Sequence, residues 1–98
     1  MTLSSKQRAY LRSLAMNIDP IFRIGKDGIN PELCEGVREA LEARELIKIA
    51  VLKNCFEDPK ELLQTLSERT GSIPVQVVGR KLTLYKPNFK EPKITLPK

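Results

Sequence analysis

Gly25 and Gly28 in the stretch "IGKDGINP" stand three residues apart and enclose one lysine and one aspartate. Glycine has no Cβ, so backbone here can approach a ligand closely and take a positive φ. Asn30-Pro31 follows, a capping side chain and then a proline suited to the first helical position. A helix start has unpaired N–H groups and the positive end of the helix dipole, and both favour an anion. Lys26 puts a cation at the loop tip, so the stretch has the parts to hold a phosphate group. Asp27 opposes that role unless its carboxylate turns into its own backbone. Two glycines also suit an ordinary turn, and the spacing alone leaves turn and binding loop both open.

Other chemistry is thinly supplied. The chain has no histidine, which excludes Ser/His and Cys/His nucleophilic arrangements. Cys34 and Cys55 are the only cysteines and match no zinc spacing, so they read as free, partly buried thiols in a reducing compartment. Glu32, Glu35, Glu39 and Glu42 recur at helical spacing. They read as a solvated helix face, because nothing in the sequence turns that stripe inward. The third glycine of a dinucleotide fingerprint is missing, and so is the Gly-Lys-Ser/Thr of a P-loop. No catalytic residue, metal site or cofactor is assigned.

The charge balance is basic: 17 Lys/Arg against 12 Asp/Glu give a net +5 over 98 residues. The distribution is uneven. Residues 1–28 carry five basic and two acidic side chains, residues 29–58 four and seven, and residues 59–98 eight and three. Folding that brings the two chain ends together makes a basic surface, which suits a polyanionic partner. No apolar run approaches the ~20 residues of a membrane span, and no signal peptide is recognised. A cytoplasmic protein without membrane contact is expected.

The elements that must carry these residues follow from periodicity. "SSKQRAYLRSLAMNI" reads as a helix over about 5–16, capped by Ser4 or Ser5, with Leu11, Leu14, Ala15 and Ile18 as its apolar stripe. Arg8 and Arg12 share another face of it, and Lys6 lies on the flank. "PIFRIG" is a short strand, with Phe22 and Ile24 on one side and Ile21 and Arg23 on the other. A second helix runs from Asn30-Pro31 to about Arg44, burying Leu33, Val37, Ala40 and Leu41. "ELIKIAVLKN" is apolar on both sides and reads as a central strand. A third helix starts at Asp58-Pro59, stops at Gly71 and buries Leu62, Leu63 and Leu66. Two strands then flank a turn at Gly79-Arg80. Residues 87–98, rich in proline and lysine, read as an extended, flexible basic tail. The order helix-strand-helix-strand-helix-strand-strand predicts an α/β domain over residues 1–86, with a four-stranded mixed sheet and helices packed on it.

Four segments, "KQRAYLRSLA", "IGKDGIN", "ALEARELIKIAVLKNC" and "VQVVGRKLTLYK", together resemble the CRM domain (chloroplast RNA splicing and ribosome maturation) in its stand-alone bacterial YhbY-type form. With their connections they span residues 4 to about 86. The resemblance implies a sheet similar to the C-terminal domain of bacterial translation initiation factor three. It implies RNA binding and association with precursors of the large ribosomal subunit. The family's GxxG loop falls on Gly25, Lys26, Asp27 and Gly28, and its basic first-helix surface on Lys6, Arg8 and Arg12. A strand-GxxG-helix unit can clamp a nucleic-acid backbone, as the KH domain does.

The expectation is a monomeric, non-enzymatic RNA-binding module that assists ribosome assembly. Lys6, Arg8, Arg12, Arg23 and the loop residues 25–28 make its contacts, and Arg80, Lys81 and the tail lysines add to them. Tyr10 and Tyr85 are the candidates to stack a base. A protein-interaction adapter, docking through the Glu32–Glu42 stripe or the open side of the sheet, is the alternative.

Overall fold

The computed structural model describes residues 2–98. Three helices and four strands alternate in the predicted order: α1 (Ser5–Ala15), β1 (Pro20–Ile24), α2 (Pro31–Arg44), β2 (Leu46–Val51), α3 (Pro59–Thr70), β3 (Ile73–Val78) and β4 (Lys81–Tyr85). The sheet order is β1-β2-β4-β3. β1 and β2 are parallel, joined through α2, and β4 runs antiparallel to both neighbours.

Local chemistry sets the helix ends. Ser4 accepts from the Gln7 amide at 3.1 Å while Gln7 Oε1 accepts from the Ser4 amide at 3.0 Å, a reciprocal capping box. Asn30 and Asp58 cap α2 and α3, each followed by proline, and Gly71 ends α3 in the left-handed region at φ 66°.

Strand alternation sends two cores to opposite faces of the sheet. Ile47, Ile49 and Val51 of β2, with Leu82 and Leu84 of β4, meet α2 and α3 through Val37, Leu41, Leu62 and Leu66. Leu46 and Tyr85 point the other way and pack under Leu11 and Ala15 of α1. A register shift between Pro74 and Gln76 lets β3 serve both: Val75 packs under α1, and Val77 against the α2/α3 core. A second shift between Pro20 and Phe22 corrects the simple alternation expected for β1, because Ile21 packs with Phe22 against the α2/α3 core. Gly36 admits β1 closely, since a Cβ there would lie 3.1 Å from the Phe22 ring.

Residues 87–98 have no helix or strand, as expected, but they lie against the domain. Ile94 and Leu96 pack on the α1 core, and Gln7 Nε2 donates to the Pro97 carbonyl at 3.0 Å. The anchor is Glu45, 1% exposed, which leaves α2 with φ 66°. Its carboxylate accepts the backbone N–H groups of Asn88 at 2.7 Å, of Ile94 at 2.8 Å, and of Lys93. Residues 88–97 thus form a strap docked on the domain where the sequence suggested a flexible tail, and a carboxylate buried more than forty residues upstream holds it.

Candidate nucleic-acid interface

β1, β2 and β3 all point the same way, so the loops that follow them share one end of the sheet. These are residues 25–28, 52–58 and the two-residue turn Gly79-Arg80. Ligands of open α/β sheets gather at such carboxyl ends. Backbone bonds join the second and third loops to neighbouring strands: Leu52 N–H donates to the Ile24 carbonyl at 2.9 Å, and Val51 N–H to the Arg80 carbonyl at 2.7 Å.

The first loop is a closed turn. Gly28 N–H donates to the Gly25 carbonyl at 3.1 Å, so that amide is spent inside the loop. Lys26 and Asp27 occupy the two central positions with negative φ, as in a type I turn, and are exposed. Gly28 needs its glycine because φ is +66°; a Cβ would also meet Glu57 Oε2 at 2.5 Å, but that is the end of an exposed side chain free to swing aside. Gly25 does not share that need. Its missing Cβ would meet Asn54 Oδ1 at 3.4 Å, an ordinary contact with the second loop. The start of α2 offers fewer free donors than the sequence suggested: Pro31 has no N–H, and Asn30 Oδ1 takes that of Leu33 at 2.7 Å.

The turn separates two surfaces of unlike charge. Arg23, Lys26, Asn30 and Asn54 line a shallow open depression on one side of it. Asp27, Glu57 and Glu61 line another, with Arg69 at its far edge. An anion is attracted to the first side and repelled by most of the second. Asp27 borders both.

Arg23 and Lys81 extend the basic side across the sheet. Arg23 pairs with Ala50, Ala50 with Lys81, and Lys81 with Val78, so the four form one row on the face that α1 also occupies. α1 covers the opposite end of that face, over Leu46, Ile73 and Tyr85. The helix residues therefore do not join the loop cluster. Arg12 is exposed and lies about 40° round the helix from Arg8, whereas Lys6 lies about 120° from Arg12.

Two arginines read as contacts have other work. Arg8 Nη1 donates to the carbonyls of Pro74 at 2.7 Å and Val75 at 3.1 Å, fixing α1 to the bulge of β3. Arg80 donates from Nε to Val51 O at 3.0 Å and from Nη2 to Leu52 O and Cys55 O at 2.6 and 2.8 Å. It ties the hairpin turn to the second loop. Of the two tyrosines, Tyr85 is 2% exposed and belongs to the core, while Tyr10 is 38% exposed on α1. The aromatic side chain at the loop end is one that sequence reasoning passed over, Phe56. Its only signal was an apolar residue between Cys55 and Glu57 in a polar loop.

Cys34 and Cys55 are free and buried in the α2/α3 core. Among the described residues, no group of His, Cys, Asp or Glu is placed to hold a metal ion, and no helix is long and apolar enough to cross a membrane.

Comparison with known proteins places this geometry among relatives. YqeI of Bacillus subtilis, named a probable RNA-binding protein, is 43% identical over 95 residues, covering 97% of this chain and 99% of its own. An RNA-binding protein of Haemophilus influenzae is 33% identical over 97 residues, covering 99% and 97%. The solution structure of hypothetical protein SAV1595 from Staphylococcus aureus, which its description proposes as an RNA binder, has a TM-score of 0.82 at 52% identity, covering 98% of this chain and all of that one. The sequence model of the CRS1 / YhbY (CRM) domain matches residues 3–86, which takes in all seven elements and the three loops they gather at one end. With the family model, the fold and near full-length relatives in agreement, the chain belongs to the CRS1/YhbY (CRM) domain family.

Proposed function

We propose that this chain binds RNA through the loop end of its sheet, with Lys26, Arg23 and Lys81 meeting the phosphate backbone. The observation that carries the reading is the row of exposed basic side chains beside a glycine turn, on the side away from Glu57 and Glu61, with Asp27 at the border. The names of the relatives support the same chemistry. Arg12 and Lys6 extend the surface along α1. Arg8 and Arg80 contribute charge, but their primary task is to hold the frame. The free N–H groups of Lys26 and Asp27, rather than that of Gly28, are the backbone donors for a phosphate oxygen. The protein acts as a monomer and without catalysis.

Changing Arg23, Lys26 and Lys81 together to alanine tests the surface. All three are exposed, so the fold should persist. Each lost phosphate contact should reduce the slope of log K on log salt by roughly 0.7 for single strands. Unchanged affinity and slope would sink the assignment.

The family resemblance extends the proposal to precursors of the large ribosomal subunit and to their assembly. In cell extract the protein should co-sediment with large-subunit particles and leave them in high salt or after nuclease treatment. A protein that keeps its partner after nuclease is the adapter instead.

A further inference from the structure

Phe56 is 94% exposed, the most exposed of the large apolar side chains among the described residues. Single exposed apolar residues are common and call for no account by themselves. The place of this one does. It lies in the loop between β2 and α3, held on one side by Arg80 and lying close to the glycine turn on the other. The Cys55 carbonyl accepts from Arg80 at 2.8 Å, and the Glu57 carboxylate stands against Gly28. Two residues earlier, Asn54 lies against Gly25 and borders the same depression as Arg23 and Lys26. A bare phenyl ring thus projects from a braced loop next to the proposed phosphate-binding turn, with the exposed Lys53 in the same loop.

We infer that Phe56 is a stacking platform for an unpaired nucleobase of the RNA whose backbone lies on the Gly25–Gly28 turn. The inference rests on the RNA-binding reading and adds the ligand's form: a single strand or a loop, not a continuous duplex. A base in a duplex is already stacked on both faces and has none to offer. A base in a single strand gains by covering the ring, whatever its identity, because every base has a π-face. The bracing by Arg80 lowers the cost of ordering the loop on binding. Glu57 and Glu61 steer the strand toward the Arg23 side, since they repel phosphate on the other.

The chain has no tryptophan, so Phe56→Trp installs a single indole reporter. Its emission should be quenched by a single-stranded RNA of about 12 nucleotides, within the span such sites cover, and left unchanged by a blunt duplex of the same sequence. Phe56→Leu keeps apolar surface but removes the π-face. It should weaken single-strand binding about five- to 150-fold, the range that base–aromatic stacking spans, and leave duplex binding as it was. Wild-type affinity in Phe56→Leu, or an unquenched indole in a protein that binds the strand, overturns the inference. The Arg23, Lys26 and Lys81 triple variant separates the two levels. If it loses affinity while Phe56→Leu does not, the phosphate surface stands and the stacking platform falls. If neither changes binding, the surface itself is wrong, and the platform falls with it.

Discussion

Tyr85 illustrates how much a residue's surroundings decide. Its phenol is held above its ordinary value of 10.0, first by burial and then by the negative charge of Glu45. Both disfavour the phenolate, so the folded state holds the proton to a higher pH than the unfolded chain does. With the folded value raised, this contribution to stability is complete below pH 10 and is lost as pH rises through the folded value. In a Tyr10→Phe protein the remaining tyrosine should show its phenolate absorbance with a midpoint above 10.0 while the fold lasts. A midpoint at or below that value would contradict the burial. Arg8 and Arg80 carry the same lesson. Sequence marks an arginine as a cation but is silent on where its five donors go. Carbonyls left over at a bulge and a loop claim them here, and those carbonyls exist only after the sheet has formed.

The braces between loops belong to the scale of elements. Arg80→Ala removes three hydrogen bonds from a charged donor and leaves the carbonyls of Val51 and Cys55 to find water, while Leu52 O keeps the Cys55 N–H. It should cost about 1–3 kcal/mol in denaturant unfolding, in the range of charge-assisted bonds. Amide exchange should quicken across residues 52–58 more than in α1. A lysine at this position cannot span the three acceptors and should restore little. The elements themselves were legible before the structure. Caps at Asn30 and Asp58, prolines after each, the stop at Gly71 and the turn at Gly79-Arg80 all obey local rules. The two register shifts were not legible, because a bulge satisfies pairing across strands that lie far apart in sequence. Nor was the split of the basic residues between the loop end and α1. Helical and strand spacing tell which residues share a face of one element, not which elements share an end of the sheet.

At the scale of the whole molecule, the segment after Lys86 completes the domain. Removing residues 87–98 strips three N–H donors from Glu45 and uncovers the core under Ile94 and Leu96. The loss should be about 2–4 kcal/mol by chemical denaturation, from hydrogen bonds to a charged group and partial apolar burial. Glu45→Gln in the full chain should give a smaller loss, since one amide oxygen can still accept. Stability equal to the full chain's after truncation would mean that the strap adds nothing. Nothing in "KPNFKEPKITLPK" signals this docking, because its partner is one acid in the middle of the sequence with an unfavourable backbone angle. The arrangement also has a consequence in time. The corner at Glu45 is synthesised well before Asn88, Lys93 and Ile94, the residues that satisfy it. A growing chain folds from its first-made parts onward, so the donors that Glu45 accepts from are made after every helix and strand. A chain broken off after β4 has every helix and strand and still lacks the donors that close this corner.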